Sequence, residues 1–211
     1  MTARAAARTA VRTMYDYLDE VLKKLVVQIY NTFSRFRSLR YDELHILSET
    51  QDLYAELERI NLEAFTLIAN YYYRAESQTV RTLDQMWLDN VLVTPSEVMK
   101  YSYSSEVTRK RDRLLEALMA TSGSVAEIDK AMRYWTQMTG WFSVEVADQA
   151  VAQAREDIGV AEVMWCSEHD AKVCDYCWKL NKQVFRADAV PPKPHPNCRC
   201  WTVDVGRVVS W

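Results

Sequence analysis

The sequence predicts a mainly α-helical protein that ends in a small β-rich module. Apolar residues recur at three- and four-residue steps through most of the chain, as expected for amphipathic helices. Only 4 glycines and 5 prolines are present, and four of the prolines lie within residues 191–196. After Gly159 the pattern changes to short β-branched and aromatic runs, which are typical of strands. We therefore predict a long-helix body over residues 1–158 and a separate module over residues 159–211.

The first half of the predicted body consists of three helices. One apolar stripe at helical spacing runs through residues 14–36, and a second runs through residues 44–71. Because residues 37–42 form only a short connection, we expect these two helices to pack antiparallel. A third helix is expected over about residues 77–92.

Capping signals organise the second half of the body. Residues 94–97, Thr-Pro-Ser-Glu, combine a capping side chain, a proline suited to the first helical position and a glutamate that can reach back to the cap. Glycine ends helices readily, so Gly159 is expected to end the last one. The predicted elements are a break at residues 101–105, a helix at 106–119, a turn at 122–124 and a long helix to about residue 157.

Three short strands are expected in the C-terminal module. The sequence places them around residues 160–165, 184–185 and 201–205. In the last of these, Trp201, Val203 and Val205 alternate with polar residues, which is the pattern of a half-buried strand.

Composition excludes several classes of protein. A net charge of -3 does not suggest a polyanion partner. No segment approaches the roughly 18 apolar residues that span a bilayer, and the N-terminus has no apolar signal region, so neither a membrane nor export is expected. Arg4, Arg8 and Arg12 lie at four-residue steps and are expected to form one solvated helix face. Five cysteines, an odd count, favour reduced thiols or a metal site over a disulfide framework.

The cysteines and one histidine form a metal-ligand pattern. Cys174 and Cys177 form a C-x2-C knuckle, whose backbone can fold under a tetrahedral cation. Cys198 and Cys200 follow about twenty residues later, and residues two apart in an extended segment point to the same side. His195 is a fifth candidate ligand. This spacing predicts a structural zinc ion bound by four of the five residues, with His195 as the alternative ligand.

Other interpretations of these residues are weaker. The four cysteines could instead be reduced and buried, or could form two disulfides, and neither arrangement would need a metal. Cys166 is expected to be a small buried residue that lies apart from the cluster. A thioredoxin-like redox pair requires a βαβ context, which the helical body does not provide. A zinc deaminase requires His-x-Glu, whereas this chain has His169-Asp170-Ala171. No catalytic motif is present and four protein ligands leave no open position on zinc, so we do not expect an enzyme, a catalytic residue or a small-molecule substrate.

The C-terminal segment resembles the phage head morphogenesis family, the Mu F-like minor head proteins of tailed bacteriophages. The resemblance covers about 40 residues near the C-terminus, and the residues that carry it lie within 170–200. It rests on five features in order along the chain: an aspartate, the C-x2-C knuckle, the hydrophobic pair of the second predicted strand, a proline pair and the HPNCRC ending. These are, in the same order, Asp170, Cys174–Cys177, Val184–Phe185, Pro191–Pro192 and His195–Cys200. Family members often have glycine in the turn where this chain has Asn181-Lys182. If that turn is left-handed, Lys182 carries a steric cost that glycine would not.

The resemblance implies a structural, zinc-binding protein of a tailed phage or prophage. Such a protein would join the procapsid in few copies and dock on the portal protein and other head proteins. It would lie in the virion, in the head interior or at the portal vertex, after passing through the host cytoplasm during assembly. Contact with packaged DNA is also implied for some members. The alternative is a nucleic-acid-binding structural zinc protein, since several lysines and arginines surround the cysteines.

Overall fold

The computed structural model describes residues 43–93, 102–119, 125–195 and 198–207. The predicted helix at residues 14–36, the three N-terminal arginines, the helix start at residues 94–97 and the turn at residues 122–124 lie outside this part of the chain. The described part is mainly helical and ends in a three-stranded antiparallel sheet, so the predicted fold class is confirmed at that level. The division into residues 1–158 and 159–211 stays a prediction.

Four helices precede the sheet among the described residues. They are α1 (Glu43–Ser77), α2 (Gln85–Val93), α3 (Tyr103–Met119) and α4 (Val125–Asp157). The predicted helices over residues 44–71 and up to residue 157 are confirmed, and Gly159 has the left-handed φ of +70° expected where a helix ends. No helix in the described ranges is both long and apolar enough to cross a bilayer.

Two predicted boundaries are wrong. The helix expected over residues 77–92 begins only at Gln85, because Gln78 is left-handed (φ 55°) and Asp84 accepts a bond from the Trp87 amide (2.9 Å), as an N-cap does. The helix expected from residue 106 begins at Tyr103 instead. Tyr103 is buried against other aromatic rings, and this packing outweighs the weak helical preference of the polar run.

The described residues fall into two compact units. The first lies within residues 1–68 and 103–142, and the second within residues 69–102 and 143–211. In the first unit, Phe65, Tyr103 and Phe142 form a chain of edge-to-face rings that joins α1, α3 and α4. The ring centroids are 5.6 and 5.2 Å apart, a favourable aromatic geometry.

In the second unit, the end of α4 presents a fully buried stripe of small residues. Val146, Ala150 and Ala154 follow one another at four-residue steps and have no exposed surface. At the C-terminal end of the helix, Asp157 accepts a hydrogen bond from the Tyr73 hydroxyl (2.5 Å) and pairs with Arg81 (2.8 Å). These contacts hold the ends of α1 and α4 together within this unit.

The sheet has the order β2-β1-β3, and all three strands were predicted. They are β1 (Val160–Cys166), β2 (Val184–Arg186) and β3 (Trp201–Arg207), and Val163 at the centre pairs with Phe185 on one side and Asp204 on the other. A six-residue helix, α5 (Asp175–Leu180), lies between β1 and β2 and was not predicted. A 3-10 turn at Ala187–Ala189 follows β2.

The polar and apolar residues of β3 do not divide into an exposed face and a buried face. Thr202 lies opposite the buried Trp165, and Asp204 lies opposite the buried Val163, so the polar residues of β3 share the buried face of β1. Val205, on the alternate face, is 46% exposed. Thr202 is half-buried and Asp204 is exposed, and both bind a buried arginine of α4, Arg155.

Candidate metal centre

The first two candidate ligands belong to a knuckle formed by a tight turn and the start of α5. Cys174 caps this helix: its sulfur accepts a bond from the Cys177 amide (3.5 Å), and its carbonyl accepts one from Trp178 (3.0 Å). Asp170 shapes the preceding turn by accepting a bond from the Lys172 amide (2.9 Å). Cys177 therefore points inward from the first turn of the helix and is 1% exposed.

The remaining candidates come from the segment that leads into β3. Cys198 and Cys200 are both buried, at 4% and 5% exposure. The sulfur atoms of Cys177 and Cys198 lie 3.5 Å apart. Two thiolates bound to one zinc ion at 2.3 Å would be about 3.8 Å apart at tetrahedral angles, so these sulfurs need to move only slightly to share a metal.

All five predicted ligands gather into two overlapping groups. Within each group the ligand atoms lie within 4.8 Å of one another: Cys174, Cys177 and His195 form the first, and Cys177, Cys198 and Cys200 form the second. Cys177 is common to both. The cluster could therefore hold a metal ion, and five donors around Cys177 exceed the four that a tetrahedral ion needs.

The acidities of the thiols differ across the cluster. Burial raises the pKa of Cys177, and the neighbouring Cys174, Cys200 and Cys198 thiols raise it further. Burial also raises the pKa of Cys198. For Cys174, burial is outweighed by the Cys177 amide and by His195, so its pKa is lower than usual. Since a metal binds thiolates, an ion would enter this site in exchange for protons.

Two supporting residues were not predicted from sequence. Ser167 is buried; its hydroxyl donates to the Cys177 carbonyl (2.6 Å) and accepts a weak bond from the Cys200 thiol (3.6 Å). Arg199, between two candidate ligands, forms a two-pronged ion pair with Asp170 at 2.7 Å for each bond. Arg199 lowers the pKa of Asp170 to about 2. Both contacts tie the knuckle to the second ligand segment.

The cluster is also the core of the module. Trp165 is 2% exposed and packs with the buried cysteines. The partly buried side chains around them are Val173, Cys174, Leu180, Phe185 and Val190. This core is small, and at its centre are thiols rather than large apolar side chains.

The fifth cysteine is separate from the cluster, as predicted. Cys166 belongs to neither group of potential ligands and is half-buried rather than fully buried. It lies opposite Trp201 in the sheet. None of the five cysteines forms a disulfide.

No protein-family model, curated protein or solved structure matches this chain.

Proposed function

We propose that this chain is a structural protein of a tailed-phage head, a minor head-morphogenesis protein whose C-terminal module is held together by one zinc ion. The observation that carries the zinc proposal is the gathering of four thiols and one imidazole into two overlapping groups that share the buried Cys177. Thiolate and imidazole donors at tetrahedral spacing suit zinc. Four protein ligands fill its coordination sphere, which makes the role structural.

A zinc ion would supply stability that the module lacks. The sheet has three short strands, and small modules of this kind often rely on a metal because their cores are limited. Metal binding free energy then becomes folding free energy. The proposed role in the head rests on the resemblance of residues 170–200 to the Mu F-like proteins. Long helices such as α1 and α4 would offer extended surfaces for docking on the portal protein.

The zinc proposal is tested first by metal content and thiol reactivity. Elemental mass spectrometry of the purified chain should give about one zinc per chain. Thiol titration should find Cys177, Cys198 and Cys200 shielded until a chelator is added, whereas Cys166 should react similarly with and without the chelator. A chain without metal, whose cysteines react freely or oxidise in pairs, would contradict the proposal.

Substitution of the shared ligand separates the metal from the rest of the fold. Cys177→Ser should lose zinc and unfold the module while leaving most of the helical circular dichroism. Cys166→Ser is the matched control, because it also removes a thiol from the module but lies outside the cluster. Full zinc content and unchanged module stability in Cys177→Ser would show that the ligand assignment is wrong.

The head-protein proposal needs its own experiment. The chain should be co-expressed with the capsid, scaffold and portal proteins of its genome, and procapsids should be isolated by sedimentation. We expect a few copies per procapsid, lost when the portal protein is omitted. A chain that never sediments with procapsids would contradict the proposal, even if it binds zinc.

A further inference from the structure

We propose that α4 contributes to the metal centre, in which Asp148 and Arg155 act as positioning residues for the ligand-bearing residues 193–195 and 198–204. This inference rests on the proposed metal site. It assigns to the helix a role in metal binding that the ligand pattern alone does not suggest. The argument depends on two ion-pair contacts, one on each side of the ligands, within the second compact unit.

The first contact lies just before the ligands. The Lys193 ammonium, two residues ahead of His195, binds both carboxylate oxygens of Asp148 at 2.8 and 2.7 Å. The Lys193 side chain is only 19% exposed, so this pair is more than a solvated surface contact. The ion pair therefore ties Lys193, and with it the start of the ligand-bearing residues, to α4.

The second contact lies just after the ligands. The Arg155 side chain is 7% exposed, and its guanidinium binds the Thr202 carbonyl (3.1 Å), the Thr202 hydroxyl and the Asp204 carboxylate (2.8 Å). Thr202 is only two residues beyond Cys200. The same guanidinium also binds Glu76 at the end of α1 (2.8 Å). A buried arginine thus fixes the start of β3 to two helices.

The two anchors share one face of the helix. Asp148 and Arg155 are seven residues apart, which is close to two full turns, so they project from the same side about 10.5 Å apart along the axis. Between their partners lie His195, Cys198 and Cys200. The helix therefore holds this segment at both ends, and the knuckle carrying Cys174 and Cys177 closes onto it.

Electrostatics gives the first anchor an additional role. A zinc ion with four thiolates carries a net charge of −2, and with three thiolates and an imidazole −1. The positive charge of the Lys193 ammonium would partly compensate this negative charge, and Asp148 holds the ammonium in place. Partners that orient or neutralise metal ligands typically change metal affinity by about 10–100-fold when removed. We expect effects of that size from substitutions in α4.

The test compares metal binding in full-length variants. Asp148→Asn removes the charge and keeps the shape, and Asp148→Glu should restore binding. Thr202→Val removes one contact of Arg155 and leaves the Arg155–Glu76 pair in place, so the protein should still fold. Two variants are the controls. Asp188→Asn breaks an exposed ion pair in the same module. Leu88→Ala weakens the core of the second unit at a position far from the ligands in sequence.

Zinc affinity is measured by competition with a chelator, and the site geometry by the absorption spectrum after cobalt substitution. We expect Asp148→Asn and Thr202→Val to bind about 10–100-fold more weakly with an altered cobalt spectrum, while both controls match the wild type. If the wild type binds zinc, and Asp148→Asn and Thr202→Val bind it with the same affinity and the same cobalt spectrum, the proposed role of α4 is wrong. The proposed zinc site would then still stand. A wild type without metal would overturn the proposed zinc site and this inference together.

Discussion

Lys182 lies in the connection between α5 and β2, where the backbone is left-handed with φ of +67°. Its amide donates to the Trp165 carbonyl (2.8 Å), a bond that fixes the connection against β1. A side chain other than glycine in this conformation costs about 1–2 kcal/mol. The cost anticipated from the sequence is therefore present in the fold, and the Lys182 side chain itself is exposed.

Lys182→Gly should stabilise the module. It removes the strain of the left-handed backbone and keeps the hydrogen bond from the amide of residue 182 to the Trp165 carbonyl. The greater conformational freedom of glycine in the unfolded chain offsets about 0.5–1 kcal/mol of this gain. We expect a net gain of about 0.5–1 kcal/mol. Chemical denaturation followed by tryptophan fluorescence would measure it. Lys182→Ala is the control, since it keeps the β-carbon and should gain nothing; an equal gain in both variants would mean that strain is not the cause.

At the same scale, the sequence identified the candidate ligands but not their support. Spacing alone brought together the knuckle and the pair Cys198 and Cys200, because both are local patterns. Ser167, Lys193 and Arg155 could not be found in this way. Their roles depend on contacts with residues 10 to 79 positions away in the chain, and nothing in their local sequence marks them.

At the scale of elements, α1, α3 and α4 meet in the first unit through an aromatic chain. Phe65 has no exposed surface and contacts the Tyr103 ring, which contacts Phe142. Apolar periodicity predicted that α1 is an amphipathic helix, and this part of the prediction is confirmed. The exact partner rings could not be predicted, since periodicity defines a face but not what lies against it.

Phe65→Ala should therefore destabilise the first unit by about 3–5 kcal/mol, because it leaves a cavity among three helices. Leu67→Ala is the matched control on the same helix: Leu67 is 65% exposed, so its loss should change stability by no more than about 0.5 kcal/mol. Urea unfolding followed by circular dichroism would measure both. Similar effects of the two substitutions would contradict the assigned packing.

The β elements show why alternation alone is an incomplete guide. The pattern in β3 correctly predicted a strand, since its period is two residues. It could not tell that Thr202 and Asp204 lie opposite the buried residues of β1, because that depends on their contacts with Arg155 of α4. The helix α5 was missed for another reason: six residues are too few for a helical period to be recognised.

At the scale of the whole molecule, charge limits how the module could contact nucleic acid. Residues 165–211 contain seven basic and five acidic residues. Three of the basic side chains are engaged in ion pairs: Arg186 with Asp188, Lys193 with Asp148 and Arg199 with Asp170. Lys172, Lys179 and Lys182 are exposed. Among the basic side chains that the structure describes in this segment, these three lysines are the cations most available to a phosphate backbone.

Any DNA binding by the module should therefore depend only moderately on salt. Each phosphate contact contributes about −0.9 to the slope of log affinity against log salt concentration, so three lysines give a slope no steeper than about −3. Fluorescence anisotropy with duplex DNA at several salt concentrations would measure it. Substituting the three lysines with glutamine should abolish such binding, whereas substituting Arg4, Arg8 and Arg12 should not. Binding that is lost when the three arginines are substituted, and kept when the lysines are, would place the DNA contact at the N-terminus. That result would show that DNA binding does not depend on the metal centre. It would therefore weaken the alternative hypothesis, in which the protein is a nucleic-acid-binding structural zinc protein.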